Sequence, residues 1–241
     1  MGSEMCIRDR LLSTLKKKQR SIQSELSKKR RSADKLNAQI DFLIEQEIEK
    51  ARKRAEEEAR RKAEAEAKQS GKASKKSAES SDKDQKTFAK GKIDAYKIDS
   101  EDRRLSGTFE QNKGKLPVPI TGAYVIVGHY GQYQVSGLRN VRLDNKGIDI
   151  KGKKGAMARA VFNGEVSAIF QYNGLANVLV RHGNYISVYC NLSSVLIRKG
   201  SQLKTGDMIG EVHTDKDGNT VLHFQLRKEV NKLNPELWLR H

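Results

Sequence analysis

The side chains best equipped for chemistry are few: five histidines and two cysteines in 241 residues. Cys6 and Cys190 are a lone pair far apart in sequence, so neither a disulfide framework nor a cysteine-based zinc site is open to the chain. Cys190 sits in the apolar run YISVYCNL and reads as a small core residue. His129 and His213 stand near turn glycines and read as solvated loop residues. His182 falls in a His-Gly turn, and His223 lies in the strand-like run TVLHFQLR. What these two can do depends on the elements that carry them.

The chain divides into two unlike parts. Residues 1–111 hold 29 Lys and Arg against 21 Asp and Glu, with almost no aromatic residue before Phe42. Residues 112–241 hold 18 against 9, together with most of the Tyr, Phe, Gly and Val. Only the second part has the apolar content for a globular core. The net charge of +17 attracts polyanions, whether nucleic acid, anionic lipid or anionic wall polymer. The basic residues are spread along both parts without the interleaved aromatics that stack bases, which argues against nucleic-acid binding. No apolar stretch is long enough to span a membrane, and no apolar core of a secretory leader is visible.

From Leu12 the apolar residues keep a heptad. One seam position reads Leu12, Gln19, Leu26, Ala33, Ile40, and the other reads Leu15, Ile22, Lys29, Leu36, Leu43. That spacing predicts a coiled coil, continued by an Ala- and Glu/Lys/Arg-rich charged helix to residue 67. Residues 1–10 fit nothing that follows and are set aside as a terminal scar. Residues 68–87 lack an apolar face and are expected to be a flexible linker. Residues 88–111 suggest a short helical arm containing Leu105 and Phe109.

After KLPVPI the texture becomes that of short β-branched and aromatic runs parted by Gly and Asn. Asn163-Gly164 is expected to form a tight hairpin turn, and Asn173-Gly174 and Gly183-Asn184 mark two more. The fold class expected is therefore an all-β, antiparallel C-terminal domain over 112–241, preceded by the long α-helical coiled coil.

The block order GIDI, AVFNGEV, VLVRHGNYISVYCNL, KTGDMIGEV, LHFQL and NPELWL resembles the LytM or lysostaphin-type peptidoglycan zinc endopeptidases. With the coiled coil upstream, the chain resembles the EnvC-type murein hydrolase activators, which carry a degenerate LytM domain. The resemblance implies a groove-bearing β sandwich or sheet, with a catalytic zinc held by three protein ligands and an open water position. The family's first His falls on Asn145, and its Asp on Asp149. The closing His-x-His pair reads Val221-Leu222-His223, and the proton-handling His after Tyr189 is Asn191. Three of five working positions are thus changed. The implied protein is not an enzyme, and no cofactor is expected beyond a weak residual zinc through Asp149 and His223. The alternatives are a peptidoglycan-binding module and a divergent zinc endopeptidase.

By the same resemblance the groove, with Tyr189, Asn191 and Val221 in it, binds an N-acetylmuramoyl-L-alanine amidase. The coiled coil docks on a membrane-anchored division complex, with peptidoglycan as a further partner. The location implied is the periplasm or cell envelope, with the export leader missing from the sequence. Leu105 and Phe109 are expected to lie over the groove as a restraining arm.

Overall fold

The computed structural model describes residues 2–73, 100–134 and 142–240. It divides into two compact units, 1–43 and 44–241. Helix α1, Gly2–Ala73, is one continuous helix. It takes in most of the opening segment set aside as a scar and runs six residues into the stretch expected to be a linker; residues 74–99 lie outside the described residues. Along the heptad, Leu12, Leu15 and Ile22 are about half exposed, whereas Ile40 is buried, as is Ile44 just past the last seam residue. A second helix paired along this seam is not among the described residues. Past Ile44, pairs such as Arg52–Glu56 and Arg61–Glu57 tie successive turns together. Each contributes only a few tenths of a kcal/mol, on the order of 0.3–0.5.

Helix α2 spans Ser100–Gln111. Among the described residues twelve strands follow: β1 Val125–Gly128, β2 Gly131–Gln134, β3 Arg142–Asn145, β4 Ile148–Gly152, β5 Met157–Arg159, β6 Gly164–Tyr172, β7 Leu175–His182, β8 Tyr185–Val195, β9 Gln202–Leu203, β10 Met208–Val212, β11 Thr220–Lys228 and β12 Asn231–Leu233. The main sheet has ten strands and the path β1-β4-β11-β8-β7-β6-β9, with β5, β10 and β12 attached beside it. Every pairing of named strands is antiparallel, and β2 and β3 form a separate two-stranded ribbon. The core gathers Ile148, Ile150, Val178, Val180, Leu222, Phe224 and Leu226, all at most 1% exposed.

Two of the three expected turns form as read. Asn173 and Gly174, at φ 51° and 78°, close the β6–β7 hairpin between paired Tyr172 and Leu175. This is the left-handed pair a two-residue hairpin needs. Gly183, at φ 72°, closes β7–β8, and a Cβ there would collide with Ser106 Oγ and the Asp102 carbonyl. Helix α2 docks on that turn: Ser106 Oγ accepts the Asn184 N–H at 2.8 Å, and Arg181 pairs with Asp102 and Glu165.

The third turn is a correction. Asn163-Gly164 joins no hairpin, because β5 pairs with β10 while β6 pairs with β7 and β9. Asn163 Oδ1 instead accepts the Thr205 N–H at 2.9 Å. Gly164 leaves room for the Arg181 carbonyl and the His182 ring, which any Cβ would strike. Tertiary contacts claim both residues, and local turn propensity yields to them.

Phe109 is also placed differently from the expectation that it lies over the groove. It is fully buried, stacked on Tyr185 at 4.6 Å and His182 at 5.1 Å, with Phe162 and Trp238 beside it. An aromatic ring gains more from this dry cluster than from a polar groove floor. Tyr185 and Asn191 stand six residues apart on β8, so the cluster lies about 20 Å along the strand from the groove residues.

Candidate functional site

The groove residues are brought together by strand register. Asp149 on β4 is paired across to His223 on β11, and His223 in turn to Cys190 on β8. Side chains alternate along a strand, so Val221, His223 and Gln225 share one face of β11 while Leu222 and Phe224 point into the core. Asn145 closes β3, and the turn Lys146-Gly147 returns the chain to β4. Gly147 is required there, because a Cβ would run into the Phe224 carbonyl. Gly128, the β1 partner of Asp149, likewise has to be bare for the carboxylate to lie against it.

Asp149 is the centre of a hydrogen-bonded chain. Its Oδ1 lies 2.7 Å from His223 Nδ1, and its Oδ2 accepts from Asn145 Nδ2 at 3.0 Å. On the far side of the imidazole, Gln225 Nε2 lies 2.9 Å from His223 Nε2. Gln225 Oε1 accepts from Arg227 Nη2 at 2.8 Å, which turns the Gln225 amide hydrogens toward the histidine. His223 Nε2 must therefore accept, so Nδ1 carries the proton and donates it to Asp149. Gln225 and Arg227 are 0% and 1% exposed, so this orientation is locked from behind. Sequence reading overlooked both, although their two-residue spacing from His223 on one strand was the available signal.

The donor set can be compared with what a catalytic zinc requires. Such an ion takes three protein ligands at about 2.0–2.2 Å, and two tetrahedral ligands then stand about 3.4 Å apart. Asp149 and His223 supply two of these donors, hydrogen-bonded to each other at 2.7 Å. The third position is Asn145, whose Oδ1 is taken by the Gly147 N–H at 3.1 Å. It therefore shows its amide hydrogens, not a lone pair, to the carboxylate. Among the described residues no group of three or more His, Cys, Asp and Glu is arranged to hold a metal. The residues at this site do not fit a hydrolytic zinc.

Asn191 and Val221 border the pair. Asn191 adopts a left-handed backbone, φ 68°, at a β-bulge, a conformation that asparagine tolerates better than most residues. Its carbonyl accepts the His213 N–H at 2.8 Å, and its Nδ2 reaches toward the Val221 carbonyl at 3.4 Å. Both residues are half-buried.

Tyr189 does not belong to the groove, which corrects its assignment as a partner-binding residue. It is the register partner of Phe224, a core-facing residue, and is fully buried against that ring at 5.3 Å. A shift of one residue along a strand changes face, and here the core side falls to Tyr189. Its hydroxyl accepts the Val161 N–H at 3.0 Å, and burial pushes its pKa up to about 12. Ser187, 3.3 Å from that hydroxyl, lies 2.8 Å from His182 Nε2, and His182 Nδ1 donates to the Asn163 carbonyl at 2.7 Å. All three side chains in this line are sealed from water, so it is a structural network. Cys190 is equally sealed, with its thiol pushed up to about 12 by burial, and reads as core.

His129 is exposed, and its Nδ1 lies 3.1 Å from Glu236.

Residues 144–235 match the model of peptidase family M23, in line with the LytM resemblance of the β domain. Over 134 residues the chain is 32% identical to an uncharacterised protein of Neisseria meningitidis serogroup B, covering 55% of this chain and 21% of that one. Over 100 residues it is 32% identical to the murein hydrolase activator NlpD of Escherichia coli, covering 39% of this chain and 26% of NlpD. The chain thus spans about a fifth to a quarter of the length of these relatives. Among solved structures, the SpoIIQ–SpoIIIAH pore-forming complex aligns with a TM-score of 0.46 at 22% identity, over 53% of this chain and 92% of that one.

Proposed function

We propose that this protein is a non-catalytic activator of cell-wall hydrolases. Its M23-type groove engages a segment of an N-acetylmuramoyl-L-alanine amidase and thereby switches that enzyme on during daughter-cell separation. The observation that carries this reading is the Asp149–His223 pair, joined directly and faced by amide hydrogens from Asn145. A donor set of this kind lacks the free lone pairs that a catalytic zinc needs. The identity with a protein named as a murein hydrolase activator supports the role. Helix α1 pairs through its heptad seam and links the domain to a membrane-anchored division complex. The place of action is the cell envelope; among the described residues no helix is long and apolar enough to cross a membrane.

Release of dye from labelled murein sacculi tests this. The purified chain alone should release none, with or without added zinc, and should accelerate release by an added amidase. Release by the chain alone would make it an enzyme. Sedimentation with sacculi but no effect on any amidase would favour a peptidoglycan-binding module instead.

A further inference from the structure

The charge on α1 is unevenly distributed along its length. Between residues 10 and 35 ten Lys and Arg accompany only Glu25 and Asp34, whereas between 41 and 64 seven accompany eight acidic residues. The later stretch neutralises its cations locally through Lys50–Glu47, Arg52–Glu56, Lys53–Glu49, Arg60–Glu64 and Arg61–Glu57. The earlier stretch has no equivalent supply of carboxylates.

The positions of these cations follow a pattern. At about 100° per residue, Lys16, Lys17, Arg20, Lys28, Arg31 and Lys35 fall within an arc of roughly 120°. The seam residues Leu15, Ile22 and Leu26 fall on nearly the opposite side, Leu12 lies outside the arc, and Asp34 lies at its margin. All six cationic side chains are exposed. Over 19 residues the stripe runs for about 29 Å along a straight helix. Pairing of the seam would leave it uncovered.

We propose that this stripe is a contact surface for the headgroups of an anionic lipid bilayer. A single small anion could engage two or three of these cations, whereas a plane of phosphates meets a straight stripe along its whole length. Attraction of this kind adds up cation by cation and decays within a Debye length of the surface. The contact is peripheral, because the stripe carries no apolar side chains to insert. The inference does not depend on the groove, and the two stand or fall separately.

The test is sedimentation of the full chain with vesicles of phosphatidylcholine alone, or of phosphatidylcholine with phosphatidylglycerol. Binding should require phosphatidylglycerol and disappear at about 1 M salt, where the Debye length is about 3 Å. The charge reversal K16E/R20E/R31E/K35E should weaken binding at least about tenfold. The milder K16Q/R20Q/R31Q/K35Q should weaken it in the same direction with helicity by circular dichroism unchanged, and L12S/L15S outside the arc should leave it intact. Equal binding to both vesicles, persistence at high salt, or full binding by the glutamine variant would overturn the proposal. So would tight binding of soluble polyphosphate by a chain that ignores the vesicles, which would assign the stripe to a linear polyanion.

Discussion

Val221→Arg should leave the β domain folded and reduce amidase activation by roughly 30-fold or more, the scale of one interface hot spot of about 2 kcal/mol. Val221 is half-buried beside the Asp149–His223 pair and shares the face of β11 that carries His223. An arginine there can extend to water, and the core neighbours Leu222 and Phe224 keep their places on the other face. The stability change should therefore stay within roughly 0.5 kcal/mol, as for most surface changes. A partner seated in the groove would meet a long cation in place of an apolar contact, and the Asp149 carboxylate is already engaged by His223 and Asn145. Val230→Arg, at a site 56% exposed and nine residues further along the chain, is the control and should activate normally. Normal activation by Val221→Arg, measured by dye release and thermal melting together, would place the partner elsewhere.

Acidification should destabilise the β domain by about 3 kcal/mol between pH 6.5 and 4 through His182 alone, at 1.36 kcal/mol for each pH unit. Burial lowers the pKa of this ring to about 4; the Asn163 carbonyl works against the shift, and the neighbouring Arg181 cation adds to it. The sign follows from which state binds the proton. In the unfolded chain His182 titrates near 6.5, so below that pH the unfolded state takes up a proton that the folded state refuses until about pH 4. The stability that neutral His182 contributes is thus complete above pH 6.5 and is lost as pH falls through this window. Urea titrations at several pH values should show the slope, and His182→Gln, although less stable at neutral pH, should show a flatter profile over the same range. An unchanged slope in that variant would mean the loss comes from other groups.

Much of this architecture could be read before any coordinates. The run TVLHFQLR read as a strand, and it forms most of β11. The turns at Asn173-Gly174 and Gly183 were legible because left-handed backbone leaves a composition signature that survives without tertiary context. Asn163-Gly164 has the same signature and misleads, since its amide and its missing side chain serve Thr205 and His182 across the fold. Tyr189 was assigned to the wrong side for a related reason: which face of β8 looks into the groove is set by its pairing with β11, and the sequence of β8 is apolar on both faces. The left-handed Asn191 redirects the strand just where the groove begins, and no local pattern announces it.

The site itself was legible as a set of residue types and not as a network. Asn145, Asp149, Val221 and His223 were named from their places in the LytM motifs. That the Asn145 amide hydrogens face the carboxylate, and that Arg227 fixes Gln225 and through it the His223 tautomer, required the geometry. Phe109 shows the same limit. Its helix could be suspected from sequence, but its burial against Tyr185 and His182 rather than over the groove depends on where α2 docks.

Metal content is the most direct measurement of whether the groove holds a hydrolytic ion. The purified full chain should be equilibrated with excess zinc, passed through a desalting column and weighed by native mass spectrometry. Two donors locked to each other by a hydrogen bond should leave the chain at its metal-free mass. A mass shifted by one firmly held zinc per chain would contradict the claim that this groove works through its shape.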